Sequence, residues 1–495
     1  MNSTLQTDVA IIGAGPGGYA TALRAAELGK SVTLIERDAH VGGTCLLRGC
    51  IPSKALISAA HTMDAMNHAA TMGIQVTAPS VDEAKLAQYR EQTVTTMTSG
   101  LAELLAARHI QMVHGQAALQ SDGTILVTPA PDATQVRVGQ SLDALHDAGT
   151  QVTIQATDTV LATGGRPRPL PNVPFGGAVL DSTAALGLEH LPKRAAIVGA
   201  GSVALEFASM WRSMGAEVTL LVRHDTPLSH AHHRSAVVLT RELKRRGIKI
   251  VAHSQVTETT PGESGEGVHV TYTSSLDNET YGIDADVLLV AIGRDPNTDM
   301  PWMQDLDIDI TDAGLIVTDD LGQTSMPHVW AVGDITPGHG LAHRAFEQGI
   351  TIAEAIAGLN PKPVDERTIP SVIFTTPEFA SVGRTVQEAQ TIDGCTDVTE
   401  TLYPVMGNAR MVMERANGSM AVVTGCRPGH PDQREVLGVH IVAPMASELI
   451  GQAEHVLGAH TPLSDAARLI EPHPTFSEMF GEALLKADGR PFNTL

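Results

Sequence analysis

Residues 42–54 read GGTCLLRGCIPSK and contain two of the four cysteines in this chain of 495 residues. A disulfide can join Cys45 to Cys50 only where the backbone between them turns sharply, and Gly49 favours such a turn. The residues around Pro52 predict a helix with proline in its first turn. Cys50 then lies at a helix N-terminus, where the dipole favours the reactive thiolate. The pattern favours a redox pair, with a structural disulfide or two inert buried thiols as the alternatives.

The same stretch resembles the redox-active signature of the FAD-dependent pyridine-nucleotide disulfide reductases. The resemblance rests on Gly-Gly-Thr-Cys, four intervening residues and Cys-Ile-Pro-Ser-Lys, with further matches between residues 8 and 478. The family includes lipoamide dehydrogenases, glutathione reductases, mycothione reductases and mercuric reductases. The resemblance implies that Cys45 exchanges with the substrate while Cys50 faces the flavin. The cofactor contacts that it implies in this stretch are Gly43, Thr44 and Lys54.

A dinucleotide-binding pattern lies ahead of the cysteines. Asp8–Ile12 predicts a buried strand, GAGPGG follows at residues 13–18, and Tyr19–Leu28 predicts an Ala-rich helix. The next predicted strand, Ser31–Ile35, ends at Glu36. In such a unit the glycines admit a pyrophosphate to the helix N-terminus and the acid holds ribose hydroxyls. The alternative is a glycine turn in another kind of α/β unit. The predicted site residues are Gly13, Gly15, Gly18 and Glu36.

A second unit of the same kind follows later in the chain. It consists of a predicted strand at Arg194–Val198, GAGSVA at residues 199–204 and another predicted strand at Val218–Val222. Two such units predict two dinucleotides, or two nucleotide ends that meet at a shared centre; the resemblance implies two dinucleotides, FAD and NAD. The resemblance also implies that Glu206 pairs with Lys54 beside the flavin, whereas a surface charge is the alternative for this glutamate. The site residues expected in this unit are Gly199, Gly201, Ala204, Glu206 and Gly293.

The residue that ends the second strand of this unit bears on the choice of nicotinamide. Val222 stands where Glu36 stands in the first unit, and Arg223 follows it. A missing acid removes the acceptor for a ribose 2′-hydroxyl, and an arginine can receive a 2′-phosphate. NADP is therefore possible beside NAD, although Ser229 replaces the second arginine of the glutathione reductase pattern. The alternative is that Arg223 is a solvated loop charge and that NAD is bound by the backbone.

Further segments match the family in the part that binds FAD. Gly115 follows a predicted strand at residues 111–114, and Thr163 and Gly164 belong to an Ala-Thr-Gly motif. Asp334 ends a predicted strand, and a Leu-Ala-His run follows it, as in lipoamide dehydrogenases more than in glutathione reductases. The resemblance implies that these positions lie at the cofactor. They are Gly115, Thr163, Gly164, Asp334 and Ala342.

The last motif, EPHPTFSE, occupies residues 471–478. A carboxylate at Glu478 can orient the imidazole of His473 and stabilise its cation. The resemblance implies that His473 is the general base and that it reaches across a dimer to the disulfide of the other chain. Two positions depart from the family pattern: Leu47 replaces an asparagine, and Glu471 replaces a histidine that lipoamide dehydrogenases usually carry.

Composition excludes several classes of partner. The net charge of −22 and the aromatic content of 3% argue against binding to nucleic acid or to anionic lipid. No apolar run reaches membrane-spanning length, which is about 18 residues. Few cysteines and a short polar N-terminus without a cleavage signal predict a cytoplasmic protein. Cys395 and Cys426 are predicted to be plain thiols, and no metal site is predicted.

Together these patterns predict an α/β protein with two Rossmann-like dinucleotide-binding domains, one for FAD and one for NAD(P), and a C-terminal α+β dimerisation domain. The expected boundaries are residues 1–165 and 295–360 for FAD, 166–294 for NAD(P) and 361–495 for dimerisation of a homodimer. The resemblance implies oxidation of a dihydrolipoyl group, carried by a lipoyl domain of a 2-oxo acid dehydrogenase complex. The alternatives are an NADPH-dependent reductase of a low-molecular-weight disulfide and a catalytically idle flavoprotein subunit.

Overall fold

A computed structural model describes residues 3–140, 145–262 and 265–494. Its strands are β1 (Ser3–Ile12), β2 (Val32–Glu36), β3 (Gln111–His114), β4 (Gln116–Leu119), β5 (Ile125–Thr128), β6 (Val136–Gly139), β7 (His146–Gly149), β8 (Val152–Leu161), β9 (Gly165–Pro167), β10 (Val179–Leu180), β11 (Arg194–Val198), β12 (Glu217–Leu221), β13 (Lys249–Val251), β14 (Ser254–Pro261), β15 (Val268–Ser274), β16 (Thr280–Ala285), β17 (Val287–Val290), β18 (Arg294–Pro296), β19 (Val329–Ala331), β20 (Ser371–Ile373), β21 (Glu378–Gly383), β22 (Thr396–Tyr403), β23 (Ser419–Cys426) and β24 (Arg434–Ala443).

The α-helices are α1 (Pro16–Glu27), α2 (Gly43–Arg48), α3 (Cys50–His68), α4 (Glu83–Ala107), α5 (Ser182–Leu186), α6 (Ser202–Ser213), α7 (His233–Arg245), α8 (Pro301–Gln304), α9 (Ala342–Ile356), α10 (Val386–Gln390), α11 (Ala409–Met413), α12 (Ala446–Gly458), α13 (Leu463–Ala466) and α14 (Glu478–Ala487). The chain forms two compact units. The first contains the residues up to Leu56, Ala84–Arg168 and Arg294–Val364. The second contains Ile57–Glu83, Pro169–Gly293 and the residues from Asp365 onward.

The first unit is built on a nine-stranded sheet. Its central strands run parallel in the order β19-β8-β1-β2-β3, and β4 to β7 extend it with antiparallel pairs. The apolar run Val9–Ile12 forms the buried end of β1, which is why this strand lies at the centre of the sheet. The predicted strand–turn–helix–strand unit is thereby confirmed as β1-α1-β2. The Gly, Asp, Pro and Thr residues and the short alternating runs of residues 120–152 predict small antiparallel strands and loops, and residues 141–144 of this segment lie outside the described residues.

The segment between the two cysteines is a helix rather than a loop. Helix α2 carries Cys45, ends at Arg48, and is followed at once by α3, which begins at Cys50 with Pro52 in its first turn. The predicted helix after the second cysteine is therefore confirmed. The sequence did not predict α2, because six residues with a single buried side chain give no periodic signal.

The second unit contains a parallel five-stranded sheet in the order β10-β17-β11-β12-β13. Helix α6 connects β11 to β12, which confirms the second strand–turn–helix–strand pattern. Nine of its residues are buried, so this helix lies within the unit rather than on its surface. An antiparallel sheet of β14, β15 and β16 follows in the chain.

The C-terminal part of the second unit is a five-stranded antiparallel sheet in the order β20-β21-β24-β23-β22. Side chains of α12 and α14, including Ile450, Met479 and Phe480, join those of the strands in one buried cluster. This is the predicted α+β domain. Cys426 ends β23 and is buried, whereas Cys395 is half-buried. The α/β architecture with a separate C-terminal α+β part is confirmed.

Candidate active site

A pair of glycines places the start of α2 against the turn between β1 and α1. The amide of Gly42 donates to the carbonyl of Ala14 over 2.9 Å. A Cβ atom on Gly43 would lie 2.7 Å from the Cα of Gly15, a separation that real side chains do not reach. The sequence Gly-Gly before Thr44 is therefore required by close packing of two backbones. Cys45 consequently lies in the helix that packs on this turn, residues 13–18, which is here termed the first glycine turn.

The two thiols of the signature are in hydrogen-bonding contact and are not bonded to each other. The hydrogen bond that the Cys45 thiol donates to Cys50 raises the pKa of Cys45, burial and the charge of Cys50 raise it further, and the ammonium of Lys54 opposes them. In this dithiol state the proton therefore stays on Cys45. The structure brings together the three predicted residues Cys45, Cys50 and Lys54 at the junction of α2 and α3.

Tyr19 faces the same thiols, and the sequence did not indicate this. Burial raises the pKa of its phenol, and negative charge on Cys45 or Cys50 raises it further. Its ring lies 5.6 Å from that of Phe346, centroid to centroid. The sequence pattern predicted a helix at this position but did not indicate which of its side chains would face the thiols. Tyr19 thus adds a protonated hydroxyl-bearing ring beside the redox pair.

The first glycine turn fits a dinucleotide. A Cβ on Gly18 would lie 1.9 Å from the carbonyl oxygen of Gly13, so these two glycines allow strand and helix to pack. A Cβ on Gly15 would meet nothing closer than 3.9 Å, which leaves open space beside the N-terminus of α1. Gly15 is the N-cap and no side chain caps it. The helix N-terminus is therefore accessible to a pyrophosphate, as the chemistry of FAD binding requires.

Glu36 is fixed at the end of β2. One carboxylate oxygen accepts from the amide of Ala14 over 2.7 Å, and the other accepts from the amides of Arg37 and Asp38 over 2.8 and 2.9 Å. Burial raises the pKa of this carboxyl despite those bonds. A carboxylate held in this way has a defined position for ribose hydroxyls.

Asp334 lies at the start of a short 3-10 turn after β19. Its Oδ2 lies 3.6 Å from Nε of Arg294, and Arg294 also donates to the carbonyl of Gly165 and, over 3.5 Å, to the hydroxyl of Thr44. Arg294 thus connects two predicted site residues, Thr44 and Asp334. Arg294 was absent from the predicted site, although it directly follows the predicted Gly293 in the run AIGRDPN of residues 291–297, and this run could have indicated it.

The remaining predicted contacts of the first unit occupy defined positions. Thr163 and Asn297 exchange two hydrogen bonds, of 2.7 and 2.8 Å, and the carbonyl of Gly164 accepts from the amide of Asn297 over 2.8 Å. Ala342 is the first residue of α9, whose N-cap Leu341 offers no side-chain cap. A Cβ on Gly115 would lie 2.6 Å from the side chain of Val127, so packing alone accounts for that glycine.

The turn between β11 and α6, residues 199–204, is here termed the second glycine turn. As in the first, one glycine allows close packing and another leaves open space. A Cβ on Gly199 would lie 2.2 Å from the carbonyl of Ala291 and 3.3 Å from the Cβ of Ala204, whereas a Cβ on Gly201 would meet nothing within 4 Å. Gly201 is the uncapped N-cap of α6. Open space beside an uncapped helix N-terminus again fits a pyrophosphate. Gly293 lies on the segment that follows β17 in the same unit.

The end of β12 carries no acidic side chain. Val222 is fully buried, its amide donates to the carbonyl of Val251 over 2.9 Å, and Arg223 is exposed. Glu206, in α6, is 8% exposed and its Oε1 accepts from the amide of Phe374 over 3.1 Å. The pairing of Glu206 with Lys54 stays a prediction.

His473 and Glu478 form the predicted dyad. Oε1 of Glu478 lies 2.7 Å from Nδ1 of His473, and its Oε2 accepts from the amide of Thr475 over 2.8 Å. Because a carboxylate can only accept, the proton is on Nδ1 and the lone pair of Nε2 is available as a base. The imidazole is 78% exposed. This side chain therefore projects from the surface of its own chain.

Glu471 lies close to this dyad. Burial raises the pKa of its carboxyl, a hydrogen bond from Gln452 opposes this, and the charge of Glu478 raises it again. Its Cγ would lie 2.9 Å from a Cβ on Gly481, so the side chain packs across the first turns of α14. The residue that replaces the usual histidine thus places a second carboxyl beside Glu478.

Comparisons with known proteins agree over almost the whole chain. Residues 7–349 match the pyridine nucleotide-disulphide oxidoreductase family, and residues 369–484 match its dimerisation domain. The chain is 35% identical to the dihydrolipoyl dehydrogenases of Geobacillus stearothermophilus and Bacillus subtilis, covering 99% of this chain and 98% of each relative. It is 33% identical to dihydrolipoyl dehydrogenase 3 of Pseudomonas putida, over 97% of this chain and 98% of that one.

Two solved structures share the fold over 98% of this chain and 99% of their own. LpdA from Mycobacterium tuberculosis superposes with a TM-score of 0.83, and the HOCl-induced flavoprotein disulfide reductase RclA from Escherichia coli, solved as a Cu(II) complex, with 0.81; each is 25% identical to this chain. Among the described residues no helix is long and apolar enough to cross a membrane.

Proposed function

The chain belongs to the pyridine nucleotide-disulphide oxidoreductase family, and we propose that it acts as a dihydrolipoyl dehydrogenase with FAD and NAD⁺. The observation that carries this is the contact between the thiols of Cys45 and Cys50 in a chain that aligns with dihydrolipoyl dehydrogenases over 99% of its length. The reaction oxidises a dihydrolipoyl group to its disulfide.

The protein's own side chains carry the thiol chemistry. Nε2 of His473 from one subunit takes the proton of one dihydrolipoyl thiol, and the resulting thiolate attacks Sγ of Cys45 in the oxidised Cys45–Cys50 pair of the other. The Cys45–Cys50 bond breaks and Cys50 leaves as a thiolate. The second substrate thiol then attacks the mixed disulfide, which releases the lipoyl disulfide and leaves both cysteines reduced. FAD, when bound, supplies the two-electron acceptor that passes a hydride to the nicotinamide.

Each remaining group has a role that follows from its position. Glu478 fixes the tautomer of His473 and stabilises its cation. Lys54 favours a thiolate in the pair, and the phenol of Tyr19 lies close enough to feel the charge of that thiolate. The groups that would hold FAD are the first glycine turn, Glu36, Thr44, Arg294, Asp334 and the N-terminus of α9. Those that would hold the nicotinamide dinucleotide are the second glycine turn, Gly293 and the residues after β12.

The assembly follows from the same assignment. Residues 1–165 and 295–360 would bind FAD, residues 166–294 the nicotinamide dinucleotide, and residues 361–495 would form the interface of a homodimer. An exposed His473 supports this arrangement, because a base that serves the partner's disulfide must project from its own subunit. We expect the lipoyl group to arrive on a lipoyl domain of a 2-oxo acid dehydrogenase complex, and the protein to be cytoplasmic.

One observation favours a second candidate, an NADPH-dependent reductase of a small disulfide. Val222 leaves the end of β12 without an acid, and the exposed Arg223 can pair with a 2′-phosphate. Intact Cys45, Cys50 and His473 suit that reaction as well, because it runs the same exchange in reverse.

A single set of assays tests these assignments. The purified holoenzyme is given dihydrolipoamide with NAD⁺ or NADP⁺, and glutathione disulfide with NADH or NADPH. We expect turnover with dihydrolipoamide and its loss in a Cys45→Ser variant that keeps its flavin. Turnover with glutathione disulfide alone would support the second candidate, and no turnover with either substrate would refute both.

A further inference from the structure

The segment that connects β12 to α7, residues 222–232, is here termed the ribose loop. It starts at the carboxyl end of β12, beside the second glycine turn, and this is where the adenine ribose of a dinucleotide lies in such sheets. The loop carries Arg223 and His224, both exposed. A loop at this place must be held still if its side chains are to contact the ribose or a phosphate on it.

The first part of the ribose loop is fastened on two sides. The amide of Leu228 donates to the carbonyl of Ala200, inside the glycine turn, over 3.0 Å. Nε2 of His253 lies 2.7 Å from Oδ1 of Asp225, and the amide of His253 donates to the carbonyl of His224 over 3.3 Å. These bonds connect the loop to the turn that would hold the pyrophosphate.

The last residue of the ribose loop, His232, is fastened to the C-terminal sheet. Its Nε2 lies 2.7 Å from Oε1 of Glu400 in β22, and its ring stacks on that of His440 in β24 with centroids 4.3 Å apart and planes 11° apart. His232 is 5% exposed and His440 is 1% exposed. Nδ1 of His232 also accepts from the amide of Ser235, so that His232 is the N-cap of α7.

The hydrogen bonds fix the state of both rings. Nδ1 of His232 lies 2.9 Å from the hydroxyl of Ser235 and accepts from its amide, so in the neutral ring the proton is on Nε2 and is donated to Glu400. Nε2 of His440 donates to the carbonyl of Arg384 over 3.3 Å, so its Nδ1 accepts from the hydroxyl of Ser381 over 2.7 Å. Burial, and then the neighbouring His232, lower the pKa of His440 to about 3. The His440 ring is therefore neutral at neutral pH, and it can stack on His232 without repulsion between two charges.

We infer that His232, Glu400 and His440 form a clamp that positions the ribose loop for the adenine ribose of the nicotinamide dinucleotide. His232 is a positioning residue: it takes no part in the chemistry but fixes the loop that faces the adenine ribose. The inference rests on the proposed function only in requiring that a nicotinamide dinucleotide bind at the second glycine turn. A clamp that is purely structural would affect stability and leave cofactor affinity unchanged.

The test measures reduction of the bound flavin by NADH and, separately, by NADPH in anaerobic stopped flow with the holoenzyme. The variant is His232→Asn, because asparagine caps a helix N-terminus as well as this histidine does but cannot reach Glu400 or stack on His440. The matched control is His460→Asn, which removes a similar contact of 3.0 Å between Nδ1 of His460 and Oε2 of Glu435. The partners of that contact lie outside the ribose loop.

We expect His232→Asn to raise the Kd of the tighter-binding nucleotide about tenfold, as when a competent loop conformation falls to about a tenth of the population. The limiting rate of flavin reduction should stay within about twofold, because the reacting groups are unchanged. Glu400→Gln keeps an acceptor for Nε2–H and should retain the wild-type Kd, whereas Glu400→Ala should raise it. His460→Asn should lower thermal stability without changing Kd.

An unchanged Kd for both nucleotides in His232→Asn would overturn the clamp, and so would an equal rise in His460→Asn. If the His232 variant fails to fold, the Kd of Glu400→Ala is compared with that of Glu400→Gln, and equal values would overturn the clamp. These measurements do not involve a lipoyl substrate. Failure of wild-type turnover with dihydrolipoamide would therefore count against the proposed function and leave this result standing.

Discussion

Removal of the Glu478 side chain is the perturbation whose effect the structure defines best. Glu478→Ala deletes both the bond of 2.7 Å to Nδ1 of His473 and the bond of 2.8 Å to the amide of Thr475. Hydrogen bonds to charged groups contribute about 1.5–3 kcal/mol. Because the imidazole is 78% exposed, water screens the pair and the lower figure applies. A loss of about 1.5 kcal/mol corresponds to roughly a tenfold fall in kcat.

The assay is steady-state oxidation of dihydrolipoamide, with flavin content and melting temperature measured on the same preparation. His473→Ala removes the base itself and should reduce turnover by about a hundredfold or more. Glu478→Gln retains an oxygen that can accept from Nδ1–H, so its kcat should fall by less than about threefold. A Glu478→Ala enzyme within twofold of wild type, with the flavin bound, would refute the proposed role of the dyad.

Three further perturbations have definite expected outcomes. His440→Asn should make the free energy of unfolding less dependent on pH. The pKa of His440 is about 3 in the folded protein and about 6.5 in the unfolded chain, so the wild type loses stability as pH falls from about 6.5 towards 3. This loss is about 2 kcal/mol at pH 5 relative to pH 8. Thermal unfolding at both pH values decides this, and an equal pH dependence in wild type and variant would contradict it. Gly15→Val should fill the open space beside α1 and lower the flavin content of the purified protein, whereas full flavin content would show that the pyrophosphate lies elsewhere. Arg223→Ala should lower kcat/KM for NADP⁺ by about tenfold or more, which is the effect expected from loss of a charge-assisted hydrogen bond. It should change kcat/KM for NAD⁺ by less than about twofold. Equal effects on both cofactors would show that Arg223 does not bind the phosphate.

The sequence predicted those features that depend on local pattern. The apolar run before the first glycine turn predicted β1, and proline two residues after Cys50 predicted the start of α3. The spacing of His473 and Glu478 predicted a bond that the structure contains. In each case the residues that interact are neighbours in the chain or belong to one repeating unit.

Other features depend on packing between distant segments and left no local signal. The orientation of Tyr19 towards the thiols depends on the rotation of α1 against α2. Arg294 reaches Thr44 and Asp334 only because β18 pairs with β9. The stack of His232 on His440 joins a loop after a parallel strand to an antiparallel sheet, which neither segment encodes alone.

The central claim is that electrons from a dihydrolipoyl group enter through Cys45 and Cys50, and rapid mixing tests it most directly. Anaerobic wild-type, Cys45→Ser and Cys50→Ser holoenzymes are each mixed with excess dihydrolipoamide, and flavin absorbance is followed; NADH is used in parallel as a reductant that bypasses the thiols. The account predicts rapid reduction of the wild type, at least about a thousandfold slower reduction of both variants, and reduction of all three by NADH. Reduction of Cys45→Ser by dihydrolipoamide at the wild-type rate would contradict it.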